Sequence, residues 1–372
     1  MSKDTSSVHR IWKISAVVVV ALGVIIFGAY WYNLRHISSD HAAWSSFGSL
    51  LSGFFTLGGV IATIATLLFL NAQNKNHQDF IDWQKQAMSF DQYINHRKFF
   101  VERLNELQTV CDNKIRFTNP DHLYSAVFPD NFPTKINLIV VPKREDGAEN
   151  LLGDLCNRLE YIESAFERTK WDDHSVREFA YDLITVQDHL QFEWIGEDSD
   201  GDILFEERNT GLNIYSIIAF CSTCSLILNS FLQYAGNRPI EHFQRGNPRF
   251  VREAFIKSFS RPMKDSLIRA HKSIDGLSSL EYLLFHVDSI RNSSKGWVLP
   301  MTYRSLERAF SSKSEVLKLR DDNVLSRLIQ QGIQEVEWSL GIADNVDNPK
   351  TFQDLMVCAQ MFDAFNDVLK NA

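Results

Sequence analysis

The chain has 372 residues, of which 45% are hydrophobic and 23% charged, and its net charge is −8. That balance excludes a disordered tail, and the acidic excess argues against general coating of nucleic acid. Five cysteines (Cys111, Cys156, Cys221, Cys224 and Cys358) make an odd count without paired spacing, which suits free thiols in a reducing compartment better than a disulfide framework.

In chain order, the first feature is a pair of apolar segments. No charged residue occurs from Ile14 to Leu34, and none from Ala42 to Asn74. A helix needs about 20 apolar residues to cross the hydrocarbon core, so the lengths predict spans at about 14–34 and 44–70 within a transmembrane hairpin over 1–74. The intervening polar turn from Arg35 to His41 is too short to fold alone. Trp12, the cluster Tyr30 to Tyr32, and Trp44 fit the aromatic belts of a bilayer. The first run is longer than the apolar region of a signal peptide, and a second span follows it. Lys3, Arg10 and Lys13 precede the first span, Arg35 stands alone in the turn, and Lys75 and Lys85 follow the second. Positive-inside bias then predicts a multi-pass inner-membrane protein with both termini in the cytoplasm.

Along the second span small residues recur at Ser45, Ser49, Gly53, Gly58, Ala62 and Thr66. Such a stripe lets helix backbones approach closely in lipid, either with the first span or with another protomer, so a homo-oligomer or higher assembly is expected. The helix has no stop signal. From Asn71 to Val110 there is no Pro or Gly, and a juxtamembrane helix is predicted over 75–110. Phe80, Trp83, Ala87, Phe90, Ile94, Val101 and Leu104 form a heptad-like seam. That seam fits packing on the chain's own domain or a stalk between protomers.

The remaining 111–372 reads as a helical cytoplasmic domain with little β-structure. Prolines 120, 129, 133 and 142 break the pattern, and Ile136 to Val141 is the one strand-like run. Helical periods follow over 150–170, 175–195, 207–234, 248–259, 262–273, 278–290, 301–310, 314–340 and 349–370. Gly211 to Ala235 carries no charge, but its Asn, Ser, Thr and Gln content favours a core helix over a third span.

Few patterns in the chain resemble known chemistry. There is no H-E-x-x-H, Walker A or G-x-S-x-G motif. The C-x-x-C at Cys221 and Cys224 lies in an apolar run and reads as two core thiols. The segment from Gly276 to Glu281 resembles the G-x-H-x-x-E signature of imelysin-type proteins, but Ser278 replaces the His. Gly196 to Glu207 can be aligned with an EF-hand loop through Asp198, Asp200, Gly201, Ile203 and Glu207, yet Gly196 occupies the opening carboxylate position. Between Arg238 and Lys272 nine Lys/Arg face three Asp/Glu, a local +6 in a chain of net −8. Arg245, Arg249, Arg252, Lys257, Arg261, Lys264, Arg269 and Lys272 interleave with Phe243, Phe250, Phe255 and Phe259. This pattern suits phosphate and stacked bases, anionic lipid heads, or a solvated helical face.

The second span also carries a resemblance. Trp44-Ser45-Ser46-Phe47-Gly48-Ser49, continuing to Gly53, an apolar stretch, then Asn71-Ala72-Gln73-Asn74 and a charged helix resemble the start of phage abortive-infection membrane proteins. Within that group it resembles the two-transmembrane effectors of bacterial retrons. The resemblance covers residues 10 to 100 and is architectural beyond; Ser49 stands where the family usually has Asp. It implies a role in antiphage defence, and with no assembled catalytic or metal-ligand set in the sequence a non-enzymatic protein without cofactor is expected. The effector would be held inactive by the retron reverse transcriptase and its RNA–DNA hybrid, and would damage the bilayer when released. A membrane-tethered nuclease or peptidase, or a passive scaffold, are the rival readings.

Overall fold

Two long helices open the chain: α1 (Asp4–Leu34) and α2 (His41–Val110). The computed structural model describes residues 4–34, 39–142, 150–241, 243, 247–261, 267–294, 298–346 and 349–371. It is mostly helical, with 73% helix and 6% strand, and divides into two compact units, Met1–Gln92 and Tyr93–Ala372. The division falls inside α2.

In the first unit α1 and α2 pack antiparallel. Tyr30 meets Phe47 at 5.2 Å, Phe27 meets Phe54 at 5.5 Å, and Val19 lies 4.0 Å from the Cβ position of Gly58. Moving back along α1 thus moves forward along α2. Gly23 makes room for the Phe54 ring, since a Cβ there would sit 3.1 Å from it. The outer faces hold exposed Val17, Val20, Val24 and Ile25 on α1 and Phe55, Val60, Ile64 and Leu67 on α2.

In the second unit the end of α2 supplies Phe100, Leu104 and Leu107 to the core. Then come β1 (Ile115–Phe117), α3 (Pro120–Val127), α4 (Leu151–Ala165), α5 (Asp173–His189) and β2 (Phe192–Trp194). The middle consists of β3 (Asp202–Phe205), β4 (Arg208–Asn213), α6 (Ile217–Tyr234), α7 (Pro248–Phe259) and β5 (Ile268–Ala270). The unit ends with α8 (Leu277–Ser293), α9 (Pro300–Ala309), α10 (Lys313–Leu317), a 3₁₀ turn at Lys318–Arg320, α11 (Asp322–Val346) and α12 (Pro349–Asn371). Local chemistry sets many boundaries. Asn119, Asn150, Asp172 and Ser312 cap their helices by accepting from the backbone N–H three residues on. Pro120, Pro248 and Pro300 sit in the first turn, where a missing N–H costs nothing.

Several sequence expectations need correction. Ile136 to Val141 is not a strand. The strands form an antiparallel pair β1–β2 and an antiparallel sheet ordered β4-β3-β5. The helix expected over 207–234 begins only at Ile217, because Arg208–Asn213 is β4. The one expected over 175–195 stops at His189 and gives way to β2, and 314–340 divides into α10 and α11. Of the helix expected over 262–273, residues 262–266 lie outside the described set and Ile268–Ala270 is β5. Of the seam on α2, Leu104 is buried beside Phe100 and Leu107, whereas Phe80, Trp83, Phe90 and Ile94 are exposed in the single chain.

Candidate functional site

Three described helices are long and apolar enough to cross a membrane: Lys13–Tyr32 in α1, the first part of α2, and α6. Their surroundings differ. Only 6% of the apolar window is buried in α1 and in α2, against 50% in α6. Phe231 of α6 lies 5.6 Å from Phe100 and 6.4 Å from Phe117, and Phe220 lies 6.4 Å from Phe192.

On α2 the small-residue stripe splits. Gly58 faces Val19 of α1. Ser45, Ser49, Gly53, Ala62 and Thr66 are exposed, and the Cβ position of Gly53 has nothing within 4 Å. The exposed face also contains Ser52, Thr56, Gly59 and Thr63, which follow Ser45 and Ser49 at a three-and-four spacing. Helical periodicity places Ser45, Ser49, Ser52, Thr56, Gly59 and Thr63 opposite the face that carries Phe47, Phe54 and Gly58, with Gly53 and Thr66 on the flanks and Ala62 one turn from Gly58. Thr56, Thr63 and Thr66 each donate to the carbonyl four residues back, so their hydroxyls need no water.

The basic stretch is divided by the fold. Arg249 is held by Glu253 at 2.6 Å and Glu307 at 2.8 Å, with Tyr303 Oη as a third partner. The Glu253 hydrogen bond pushes its guanidinium further toward the charged form. Arg252 donates to the Ser311 carbonyl, and burial lowers its pKa. These two arginines serve internal contacts, and Lys257 is exposed on α7. Arg245 and Lys264 lie outside the described residues. Phe255 and Phe259 are buried and Phe243 packs 5.9 Å from Phe166, so they serve the core.

Arg261, Arg269 and Lys272 instead converge on a cleft of about 450 Å³. They are joined there by Arg177 of α5, with Ser278, Leu204, Ile268 and Phe259 completing most of the wall. Sequence reading missed Arg177, which is one charged residue on an ordinary amphipathic helix. Only the packing of α5 beside α7 brings it to the cleft.

Behind the cleft lie three carboxylates whose side chains are 0% exposed, each paired with a cation. Asp200 accepts from the Ile274 amide at 3.0 Å, the Ser273 amide and hydroxyl, and Arg320 Nη2 at 2.9 Å. Burial alone would raise its pKa, but these donors outweigh it and hold the carboxyl below the ordinary range. Asp202 accepts from Lys313 Nζ and Asn213 Nδ2, both at 2.8 Å. Glu281 accepts from Lys272 Nζ and Tyr215 Oη. Burial raises its pKa, and Lys272 opposes that only in part.

This network disposes of two sequence motifs. Asp200 is saturated by protein donors, Gly201 and Ile203 belong to the β3 hairpin, and Glu207 pairs with Arg269 at its tip. The loop is therefore not arranged around a calcium ion. Near Ser278, Glu281 is bound to a lysine and a tyrosine. Among the described residues no group of three or more His, Cys, Asp or Glu could hold a metal. All five cysteines are free thiols, with Cys221 and Cys224 buried in α6.

Comparison with known proteins yields no family model, curated protein or solved structure that matches the chain.

Proposed function

We propose that the chain is a non-enzymatic effector of antiphage defence, anchored in the inner membrane by α1 and the first part of α2, with both termini in the cytoplasm. The contrast in burial among the three apolar helices carries the membrane part of this reading. An almost uncovered apolar helix pair needs lipid around it, whereas α6 already has protein partners. The defence role is supported by the resemblance around Trp44 to Asn74. In this reading a reverse transcriptase with its RNA–DNA hybrid restrains the effector. Release lets copies assemble through the exposed Ser/Gly/Thr face of α2 and disrupt the bilayer.

Expressed alone, the protein should depolarise the inner membrane and admit an impermeant DNA dye, and co-expression of the inhibitory complex should suppress both. Gly53→Leu, with insertion unchanged, should abolish dye uptake because bulk blocks close helix approach. Intact membranes in cells making the wild-type chain would sink the effector reading. Full uptake with Gly53→Leu would sink the assembly face. Alkaline phosphatase fused after Ala372 should be inactive, and an active fusion would mean an odd number of spans, with α6 as the candidate third.

A further inference from the structure

We propose that the juxtamembrane part of α2 is a stalk that pairs in parallel with the same segment of a second copy, through Phe80, Trp83, Ala87 and Phe90. The proposal rests on the membrane anchoring of the first unit and not on the defence role.

Val19 lies opposite Gly58, so antiparallel α1 reaches from its described start at Asp4 only to about residue 73 of α2. Beyond that point Phe80, Trp83 and Phe90 are each at least half exposed. Phe80 and Trp83 stack with ring centres 6.2 Å apart and form one ridge. A row of large apolar side chains on a surface marks an interaction site, and the spacing says what kind of partner fits. The four residues follow one another at three, four and three positions, which is the a and d seam of a coiled coil. A helix lying on a folded domain uses a broader stripe. Here the flanks are polar instead, with Asp79 and Gln86 on one side and Gln84 and Asp91 on the other. Ile81 and Met88 stand singly on the outer side, with the Asp82–Lys85 pair at 3.9 Å.

A second copy meets the conditions of that seam. Anchoring in one membrane orients all copies alike, so identical segments stand parallel and at equal height. In a parallel pair, Asp79 faces Gln84 of the second copy and Gln86 faces its Asp91. Each carboxylate then meets an amide, and no like charges oppose. The seam also continues the exposed membrane face. Every seventh residue from Ser45 gives Ser52, Gly59, Thr66, Gln73, Phe80 and Ala87, all exposed except the partly buried Ala87. Seven residues fall about 20° short of two full turns, and a left-handed supercoil absorbs that drift. The chemistry changes with the solvent. Small residues permit close packing in lipid, and aromatic side chains supply hydrophobic burial in water.

Cysteine substitutions in the full-length chain, oxidised in native membranes beside the wild-type protein, test the pairing. Ala87→Cys and Phe90→Cys should each give a disulfide-linked dimer several-fold above the wild-type background, because paired seam positions bring Cβ atoms within bridging range. Gln78→Cys and Lys85→Cys, on the exposed outer side, should stay at background. Adding Trp83→Glu to Ala87→Cys should cut the dimer by about tenfold, since the seam would bury unpaired carboxylates. Adding Trp83→Phe should preserve it. Carbonate extraction of the same membranes reports anchoring separately from pairing. Release of the chain would sink the membrane reading and the stalk with it, whereas an anchored chain without dimer at Ala87→Cys and Phe90→Cys overturns the stalk alone. Equal cross-linking of Lys85→Cys, or an unchanged dimer with Trp83→Glu, would also overturn it.

Discussion

The apolar part of α2 and α6 are made from similar residues and end in opposite surroundings. Both are long, uncharged and sprinkled with Ser, Thr and Gly or Asn. The difference lies in how their polar side chains are satisfied. In α2 the threonine hydroxyls bond back to carbonyls of their own helix. In α6, Ser230 Oγ accepts from Arg103 Nε at 2.8 Å, and Asn229 bonds both the N–H and the carbonyl of Ile240. Thr223 of α6 also bonds back to its own helix, at the Ala219 carbonyl, so the contrast rests on Ser230 and Asn229, whose partners lie on other segments. A helix whose polar groups all look inward to its own backbone can face lipid.

The largest expected effect would break this contrast directly. Phe231→Ala should cost about 3–5 kcal/mol by removing a buried ring among aromatic neighbours, lowering the thermal midpoint of the second unit. Ile25→Val on the uncovered face of α1 should change it by less than about 0.5 kcal/mol. Equal effects from the two substitutions would mean that α6 and α1 share an environment.

Titration sharpens the comparison, because the buried ion pairs described above all belong to the second unit. Asp200 has a depressed folded pKa. Its contribution to stability is therefore present above the ordinary carboxylate value and lost as pH falls through the depressed one. Glu281 has a raised folded pKa, so its contribution has the opposite sign, present at low pH and lost as pH rises through the raised value. Asp200→Asn should destabilise by about 3 kcal/mol at neutral pH, because the Ser273 and Ile274 amides and Arg320 lose an anionic acceptor. On the acid side the melting temperature of the variant should fall less steeply than that of the wild type. A parallel pH profile in the two proteins would remove Asp200 from this role.

The smallest effect is a gain. Glu206 and Glu207 form the two-residue turn between β3 and β4 with φ of 46° and 66°. Side chains other than Gly and Asn are disfavoured there by about 1–2 kcal/mol each. Glu206→Asn with Glu207→Gly should therefore raise stability by about 1–2 kcal/mol in thermal unfolding. No gain would show that contacts of these glutamates offset the backbone cost.

That turn also explains part of what sequence reading lost. Adjacent positive φ values are advertised by Asn-Gly, and Glu206-Glu207 carries no such signal, so the hairpin passed for an acidic loop followed by helix. Gly211 is a second hidden constraint. Its φ is +76°, and a Cβ there would fall 2.6 Å from the Trp194 ring. Both features depend on neighbours distant in the chain. The basic stretch was visible, yet its division was not. Arg249 and Arg252 turn inward to Glu253, Glu307 and Ser311, while Arg261, Arg269 and Lys272 turn to the cleft.

By itself the sequence determined the mostly helical composition, the two uncharged apolar runs, and several helix starts at Asn150, Asp172, Pro248 and Pro349, whereas the short helix after Asn119 lay in a stretch that its prolines made look broken. These follow from rules that act within one or two helical turns. Tertiary structure decided that α6 is a core helix, that Asp200 and Glu281 are locked by Arg320 and Lys272 rather than by a metal, and that Arg177 joins three cations from a distant segment. Those outcomes turn on which polar groups find partners when segments meet, and spacing along the chain does not encode that choice.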